Sequence, residues 1–386
     1  MLNLTRINIS NFRNYEAARI NLDANGTDEF VKFVVVTGKN GAGKTNLLEA
    51  ISLLAPGRGL RNAGLVEMKN RNLPESHVWT VSVEAVMMGG DKLKIGTGLD
   101  RDLQKRLVRI NGEDVKNQSL LSEYVSIVWL TPQMDGLFIE GTSERRRFLD
   151  RLVSAYEPEH STRISRYEKA MRERNKLLQG EGRLDAIWLA TLEKQMAENS
   201  VSIAASRINL VNRLQEHIQD LEIVSPLFPK PLLTVENWIE QEMQNSPAVE
   251  IENKLKTRLK ENREADRDNK KTSDGAHKSD LKIFYADKSM PADQCSTGEQ
   301  KALLMSIILG HALMIQAEKG FSPIILLDEV AAHLDDERRE QLFSVLRSLN
   351  GQIWLTGTSD RIFETLKDKA KFFYTDHGTI MEKRIS

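Results

Sequence analysis

Two short segments near opposite ends of the chain carry residue types that handle phosphate groups. Residues 38–45 read Gly-Lys-Asn-Gly-Ala-Gly-Lys-Thr and fit the P-loop pattern G-x-x-x-x-G-K-[ST]. The glycines of this pattern let backbone N–H groups approach the phosphates, and the following helix N-terminus favours negative charge. The pattern predicts that Lys44 contacts the β- and γ-phosphates and that the Thr45 hydroxyl binds Mg²⁺. We expect nucleotide contacts from the whole loop: Gly38, Lys39, Asn40, Gly41, Ala42, Gly43, Lys44 and Thr45.

The segments on either side of the P-loop are those that the motif needs mechanically. Residues 31–36 are mostly β-branched and apolar, which predicts a buried strand. Apolar residues recur at helical spacing from Leu47 to Ala55. A glycine-rich turn before an ordinary helix is the alternative, and the order of strand, glycine loop and helix argues against it.

An apolar run that ends in two carboxylates lies at the other end of the chain. Residues 324–329 read Ile-Ile-Leu-Leu-Asp-Glu, which predicts a central parallel strand with Asp328 and Glu329 at its carboxyl end. Ligands bind at this edge of an open α/β sheet. We expect Asp328 to hold Mg²⁺ through its water shell, and Glu329 to act as the general base, a role worth roughly 10²–10⁴-fold in rate. Alone, the segment would equally suit a solvated acidic turn.

A third segment precedes the acidic strand by about thirty residues. Residues 296–300 read Ser-Thr-Gly-Glu-Gln, which is an S-x-x-E capping box before an apolar helix. A capped helix N-terminus is also an anion site, so the two interpretations are compatible. We expect Ser296, Gly298 and Gln300 to contact a nucleotide held by a second copy of the chain. This order of motifs is that of an ATPase head whose site a second copy completes.

Together the motifs resemble the ABC-type ATPase superfamily, and within it the RecF recombination-repair proteins. Residues 4–15 resemble the N-terminal strand of SMC-like and RecF-like ATPases. Residues 141–150 and 275–281 resemble two segments of RecF, although the second has Ala and Lys where RecF carries Pro and Arg. Residues 331–335 resemble the D-loop.

This resemblance implies an α/β fold, an ABC-type P-loop ATPase head with a mixed sheet and flanking helices, interrupted by a helical arm domain. It implies nucleotide contacts from Arg13 and Asp335, and it places Gln133 at the Q-loop with a role toward Mg²⁺. RecF proteins commonly carry an acidic residue there. No switch histidine follows the late strand, so Thr356 or Thr358 would sense the γ-phosphate, and we expect slow hydrolysis.

The resemblance also implies a biological role. It implies ATP-driven homodimers on gapped DNA or on single-strand/duplex junctions, which help load RecA together with RecO and RecR. ATP would act as a switch through weak, DNA-stimulated hydrolysis in the cytoplasm, near the nucleoid. Two alternatives are an SMC-type chromosome-organising ATPase and a transporter's nucleotide-binding subunit. The first needs hundreds of heptad residues between the halves, and the second needs a short insert and a switch histidine.

Composition limits the class of protein. The chain has 386 residues, 40% of them hydrophobic, which is enough for two sizeable cores. The net charge of −1 gives no global argument for nucleic acid. The single cysteine, Cys295, rules out a disulfide framework and fits a reducing compartment. No run of eighteen apolar residues is found, so we expect no membrane span.

Changes in pattern along the chain predict three parts. We assign residues 1–135 to the N-terminal part of the head, residues 136–282 to the helical arm, and residues 283–386 to the C-terminal part of the head. Residues 250–271 are highly charged, which indicates either a solvated helix or a flexible connector.

A local excess of positive charge suggests where DNA would bind. Residues 141–176 contain ten Lys or Arg and six Asp or Glu, an excess of +4. This excess favours phosphate contacts with salt-dependent affinity, although a solvated helix face, or internal pairing of Arg146 or Arg147, would give the same composition. A hairpin that turns at Asn111-Gly112 adds two more arginines. The candidate DNA contacts are Arg145, Arg146, Arg151, Arg106 and Arg109.

Overall fold

The computed structural model describes residues 2–22, 30–74, 76–87, 89–103, 105–180, 185–224 and 228–384. Within these ranges the strands are β1 (Leu2–Phe12), β2 (Tyr15–Asn21), β3 (Phe33–Thr37), β4 (Thr80–Met87), β5 (Lys92–Leu99), β6 (Arg106–Ile110), β7 (Glu113–Asp114), β8 (Ile127–Leu130), β9 (Pro231–Glu236), β10 (Asp280–Tyr285), β11 (Met290–Pro291), β12 (Ile324–Leu327), β13 (Ile353–Gly357), β14 (Ala370–Asp376) and β15 (Thr379–Lys383). The α-helices in the same ranges are α1 (Lys44–Ser52), α2 (Leu121–Tyr124), α3 (Thr142–Tyr156), α4 (Glu159–Gln179), α5 (Ala186–Val224), α6 (Trp238–Glu242), α7 (Ala248–Glu261), α8 (Arg263–Asp268), α9 (Thr297–Lys319) and α10 (Asp336–Ser348).

The chain forms two compact units, each assembled from separate stretches of sequence. The first unit contains Met1–Asp135, Asp220–Phe228 and Leu304–Ser386, and the second contains Gly136–Gln219 and Pro229–Leu303. The sequence analysis placed the second boundary at residue 282, whereas the compact units divide inside α9. One physical reason is that β10 pairs with β9, which keeps the chain beyond residue 282 in the second unit.

A mixed six-stranded sheet forms one layer of the first unit. Its strand order is β15-β14-β3-β13-β12-β8, and all neighbours are parallel except the edge pair β14–β15. The strands β3, β12 and β13 are buried along their whole length, as their continuous apolar sequences predict. The carboxyl ends of β3 and β12 therefore lie at the same edge, one strand apart.

A second, antiparallel sheet belongs to the same unit. Its order is β2-β1-β4-β5-β6-β7. Strand β1 buries Leu4, Ile7 and Ile9, and helix α1 contacts both β1 and β13. Apolar residues of both sheets and of α1 form one hydrophobic core, so the helix that follows the P-loop is fixed by packing.

Helix α9 is long and apolar enough to cross a membrane by length and composition alone. Of its most apolar window, 78% is buried inside the protein, which is the situation of a core helix.

The second unit combines helices with a small antiparallel sheet, β11-β10-β9, which the sequence analysis did not predict. Its core contains buried residues of α4, α5 and α7. Residues 250–271 are not a flexible connector, because α7 buries Ile251, Leu255 and Leu259. These three residues recur every four positions and supply the apolar face that the high charge of the segment conceals.

A buried arginine joins three parts of the second unit. The Arg174 guanidinium on α4 is fully buried and contacts Glu193 of α5 at 3.1 Å and Asp266 of α8 at 2.7 Å. It also donates to the Leu259 carbonyl at 2.6 Å and to the Thr272 hydroxyl at 3.1 Å. Glu193 has a second cation, Arg263, at 2.5 Å, so the fully buried Asp266 is the carboxylate that relies on Arg174.

We predict that Arg174→Ala lowers the free energy of unfolding by about 3–5 kcal/mol, because it leaves the fully buried Asp266 without its cation. Arg172→Ala on the same helix is the matched control. Its side chain is 67% exposed and pairs with Glu168 at 3.5 Å, so the loss should be about 0.3–0.5 kcal/mol. Urea unfolding of both variants measures the difference. Equal losses in the two variants would contradict a special role for Arg174.

Candidate nucleotide site

The two phosphate-handling motifs meet at the carboxyl edge of the mixed sheet, although roughly 280 residues separate them in sequence. The Thr45 hydroxyl donates to Asp328 Oδ2 at 2.7 Å. The Lys44 ammonium lies 3.3 Å from Glu329 Oε1. The parallel pairing of β3 with β13, and of β13 with β12, produces this meeting.

Lys44 is buried in a ring of acceptors. Its Nζ donates to the Gly38 carbonyl at 2.8 Å and to the Lys39 carbonyl at 3.1 Å, in addition to its ion pair with Glu329. Its side chain is 4% exposed, whereas that of Glu329 is 30% exposed. The ammonium is thus held inside the loop, with Glu329 on its more accessible side.

Asp328 is a buried carboxylate with two hydroxyl donors. Thr356 donates to Oδ1 at 2.6 Å, and Thr45 donates to Oδ2. Burial raises the pKa of Asp328, and the hydrogen bonds from Thr356 and Thr45 oppose that rise. The Thr356 hydroxyl also accepts from the Glu329 backbone N–H at 3.0 Å, so it contacts both acidic residues. Thr358, the other sensor considered from sequence, is exposed just beyond β13.

Glu329 adopts a backbone conformation that is uncommon for its residue type. Its φ of 55° and ψ of 14° lie in the left-handed region. Such conformations cost of order 1–3 kcal/mol and cluster at functional sites. The chain turns sharply here, directly after the buried strand β12.

Side chains from outside the P-loop donate hydrogen bonds to its carbonyls, and sequence analysis did not assign them this role. The Ala42 carbonyl accepts from Asn14 Nδ2 at 2.9 Å and from the Thr375 hydroxyl at 3.2 Å. The Tyr15 hydroxyl donates to the Gly43 carbonyl at 2.9 Å, and burial raises the pKa of Tyr15 to about 12. Gly43 has φ 121°, and a Cβ there would lie 2.7 Å from the Tyr15 hydroxyl. The loop conformation therefore requires glycine at this position.

A cavity of about 260 Å³ opens above the loop, and one lining residue was missed by the sequence analysis. This residue is Arg61, whose Nη1 donates to Asn46 Oδ1 at 2.5 Å and to Glu49 Oε2 at 2.9 Å. No local sequence pattern marks Arg61, which reaches the cavity from the loop after α1. The lining residues are Asn40, Gly41, Gly43, Lys44, Thr45, Asn46, Arg61 and Glu329.

The residues present fit a polyphosphate with Mg²⁺. Helix α1 begins at the loop with no side-chain cap at its N-terminus, so its first N–H groups face the cavity side of the loop. Thr45 and Asp328 offer one hydroxyl and one carboxylate side by side, a set that suits Mg²⁺ sharing substrate phosphates and water. In the described part of the chain, no cluster of three acidic, histidine or cysteine residues offers an all-protein metal cage.

In the second unit, the predicted signature segment has the geometry of a capping box. The Glu299 carboxylate accepts from the Ser296 backbone N–H and hydroxyl, both at 2.8 Å. Ser296 and Gly298 are exposed, and a Cβ at Gly298 would meet open space. Gln300 is different from the prediction: it is 2% exposed and its amide donates to the Cys295 carbonyl at 2.9 Å. Burial in its own chain contradicts direct nucleotide contact by Gln300.

Three other predicted contacts occupy distinct positions. Arg13 binds Glu49 through two hydrogen bonds of 2.8 and 2.6 Å and also donates to the Glu67 carbonyl. Its observed contacts are structural, and nucleotide contact by Arg13 stays a prediction. Gln133 is exposed on the turn after β8, and Asp335 caps α10 by accepting from the Arg338 N–H at 2.8 Å. No contact of these two residues tests their predicted roles.

The structure corrects two of the proposed DNA contacts. Arg106 is held by backbone carbonyls in the first unit, and burial lowers its pKa to about 10. Arg145 is 13% exposed and binds Asp280 through both carboxylate oxygens, at 2.8 and 2.9 Å. Buried or fully engaged guanidinium groups cannot form a DNA-facing surface without losing these contacts.

The remaining three arginines differ in exposure. Arg146 is half-buried and donates to the Ser279 carbonyl at 3.1 Å. The Arg151 guanidinium lies 5.4 Å from the centre of the Phe148 ring. Arg109 is 62% exposed and pairs with Asp114 at 2.7 Å. Arg109 therefore keeps the accessibility that a phosphate contact requires, and its role stays a prediction.

Comparison with known proteins gives a consistent result along the whole chain. The family model described as "RecF/RecN/SMC N terminal domain" matches residues 3–381. A protein of Agrobacterium fabrum named "DNA replication and repair protein RecF" is 42% identical over 381 residues, covering 98% of each chain. A Mesorhizobium japonicum protein of the same name is 44% identical over 380 residues, covering 98% of this chain and 97% of its own.

Solved structures share the fold. One, titled as the recombination mediator RecF with ATPrS in the RecFOR pathway, has a TM-score of 0.80 at 24% identity, covering 99% of this chain and 98% of its own. An SMC head bound to the C-terminal winged helix of ScpA has a TM-score of 0.51 at 14% identity, covering 100% of this chain and 98% of its own. These similarities establish that the chain shares the fold of the RecF structure and of the SMC head.

We predict that Asp328→Asn leaves the protein without nucleotide as stable as the wild type, or more stable. The raised pKa means that the folded state holds the Asp328 proton more tightly than the unfolded chain does. The ionised group therefore costs stability above its unfolded pKa, and this cost disappears as the pH falls through the folded pKa. The stabilisation by asparagine should accordingly shrink on acidification.

The same variant should lose the rise in melting temperature that MgATP produces. At 100 times its dissociation constant a ligand stabilises by about 2.7 kcal/mol. Thermal melts at neutral and acidic pH, with and without MgATP, measure both effects. A variant that is clearly less stable at neutral pH, yet still stabilised by MgATP, would refute the assignment.

Proposed function

Because the chain belongs to the RecF family of DNA replication and repair proteins, we propose that it is an ATP-switched DNA-binding protein that works as a dimer. The observation that carries the proposal is the meeting of Lys44 and Thr45 with Asp328 and Glu329 at one sheet edge. These four residues supply a phosphate-binding cation, two Mg²⁺ ligands and a base.

Each residue has a distinct role in the proposed cycle. Lys44 and the P-loop N–H groups bind the β- and γ-phosphates, Thr45 and Asp328 hold Mg²⁺, and Glu329 polarises the attacking water. The 3.3 Å ion pair between Lys44 and Glu329 gives this cycle a first step. Phosphate oxygens compete with Glu329 for the ammonium, so nucleotide binding frees the carboxylate to face water.

The exposed signature segment supports the proposal of a dimer. Ser296 and Gly298 are exposed at the N-terminus of α9, and a Cβ at Gly298 would meet open space. Helix N-termini favour anions, so this surface suits the phosphate held by a second copy of the chain. We propose that ATP joins the two copies, with Asp335 and Gln133 contributing at or near each site.

DNA is the proposed ligand of the dimer. Arg109 is the predicted contact that remains exposed, at 62% of its side chain, and phosphate contacts would make the affinity fall with added salt. By resemblance, the preferred DNA carries gaps or single-strand/duplex junctions, and RecR, RecO and RecA are the partners. This role places the protein in the cytoplasm with the nucleoid. Weak, DNA-stimulated hydrolysis would release the DNA.

We predict that Glu329→Gln keeps or strengthens ATP binding and lowers hydrolysis by about 10²–10⁴-fold, since it removes both the base and a competitor for Lys44. The variant should retain duplex DNA in ATP long after the wild type has released it. Lys44→Ala is the control. It should not bind ATP, and its DNA binding should not respond to ATP. Nucleotide affinity, phosphate release and DNA retention over a salt series measure these effects. Hydrolysis at the wild-type rate in Glu329→Gln would exclude Glu329 as the base.

We predict that Ser296→Arg binds ATP normally but fails to dimerise, because a bulky cation then stands where the partner's nucleotide must approach. Ser161→Arg, on the helical part of the second unit, controls for adding an arginine outside the signature segment. Light scattering with and without ATP gives the molar mass, and equilibrium titration gives the affinity. Normal ATP-dependent dimers of Ser296→Arg would contradict the proposed assembly.

A further inference from the structure

Residues 53–61 connect the end of α1 to Arg61 at the nucleotide cavity, and we call this segment the Arg61 loop. Gly57 and Gly59 have φ values of 98° and 70°, so the loop follows a path that favours glycine. Its far end is attached to α1, because Arg61 donates to Asn46 and Glu49. Next to that end, the Leu60 N–H donates to the Ser52 hydroxyl at 2.8 Å.

One partly buried guanidinium binds the first half of this loop. Arg106, at the start of β6, donates to the carbonyls of Leu53, Ala55 and Gly57, the last at 2.6 Å. On its other side, Arg106 Nε donates to the Thr97 hydroxyl of β5 at 2.7 Å. Arg106 therefore anchors the loop to the antiparallel sheet.

A neighbouring glutamine, Gln118, binds both Arg106 and the Arg61 loop. Gln118 Oε1 accepts from Arg106 Nη1 at 3.2 Å and from the Gly57 N–H at 3.2 Å. Gly57 is thus held through both its N–H and its carbonyl, and the middle of the loop has a defined position.

The charge of Arg106 also suits the end of α1. A helix C-terminus carries unsatisfied carbonyls and partial negative charge, which a nearby cation stabilises. The last turn of α1 has no basic residue of its own, and Arg106 supplies that cation from strand β6. Burial lowers the pKa of Arg106 to about 10, which still leaves the guanidinium charged at neutral pH.

We propose that Arg106 is a positioning residue for the nucleotide site, which fixes the Arg61 loop so that Arg61 faces the phosphate cavity. Arg106 touches no residue that lines the cavity, and its effect passes through the carbonyls of the loop. The proposal rests on the proposed function in one respect: the cavity must bind ATP. It also explains why the Arg106 guanidinium is engaged by loop carbonyls rather than free to contact DNA.

A double-mutant cycle tests this arrangement in the full-length protein. The variants are Arg61→Ala, Arg106→Met and the pair, and the readout is equilibrium affinity for MgATP. Each single change should weaken binding by roughly 10- to 100-fold, the effect of losing one charge-assisted hydrogen bond. The double variant should bind no more weakly than Arg61→Ala, because Arg106 acts through Arg61. Lys92→Met removes an exposed charge from the same sheet and should leave affinity unchanged.

A second variant protects the test against misfolding, because Arg106→Met leaves buried carbonyls without a donor. Gln118→Ala alters an exposed side chain and removes the hydrogen bonds that Gln118 accepts from Arg106 and from the Gly57 N–H. It should weaken MgATP binding by a smaller factor, and this loss should vanish in the Arg61→Ala background. If Arg106→Met does not fold, the Gln118→Ala cycle decides the question alone.

The outcomes separate the inference from the proposed function. Additive losses in the cycle, or unchanged affinity in Arg61→Ala, would overturn positioning through Arg61 while ATP binding by the wild type stands. Absence of MgATP binding in the wild type would instead overturn the proposed function. Non-additive losses, with Lys92→Met unchanged, establish the inference.

Discussion

The rest of the nucleotide site depends on one buried carboxylate, Asp328, at the end of a strand with no exposed residue. A buried charge is tolerated only where donors face it, and here Thr45 and Thr356 arrive from two other parts of the chain. Parallel pairing through β13 is what places those hydroxyls at the required edge. The fold and the chemistry of the site therefore depend on the same strand register, because a register shift would leave Asp328 buried without donors.

A second carboxylate, Glu49, organises the cavity in a similar way. It is fully buried on α1 and binds Arg13 from β1's end and Arg61 from the loop after α1. Asn46, one turn earlier, links Arg61 to Asn14, whose amide in turn braces the Ala42 carbonyl. One face of α1 thus connects the P-loop to two arginines, and neighbouring polar groups in such a network strengthen one another.

Local patterns in the sequence predicted the elements whose chemistry is local. The P-loop, the buried strands, the capping box at Ser296 and the Asn111-Gly112 hairpin were all visible, and the last has the positive φ values of 51° and 90° that this turn requires. Composition failed where long-range pairing decides a residue's role. By composition, Arg145 and Arg106 counted as surface charge. Arg145 instead binds Asp280, 135 residues away, and Arg106 binds backbone carbonyls about 50 residues away. Arg61 had no local pattern at all.

The internal contacts of these arginines limit the surface that a nearly neutral chain could offer to DNA. Guanidinium groups that satisfy carbonyls and carboxylates inside the protein contribute little to its outer field, so the count of basic residues overstates the DNA surface. A weak intrinsic surface would suit the proposed switch, because DNA affinity would then depend on joining two copies of the chain. ATP and DNA would be linked by a coupling of about 1–3 kcal/mol, and DNA must strengthen ATP binding by the same factor. The exchange of Lys44 from Glu329 to phosphate is the local event from which that coupling would start.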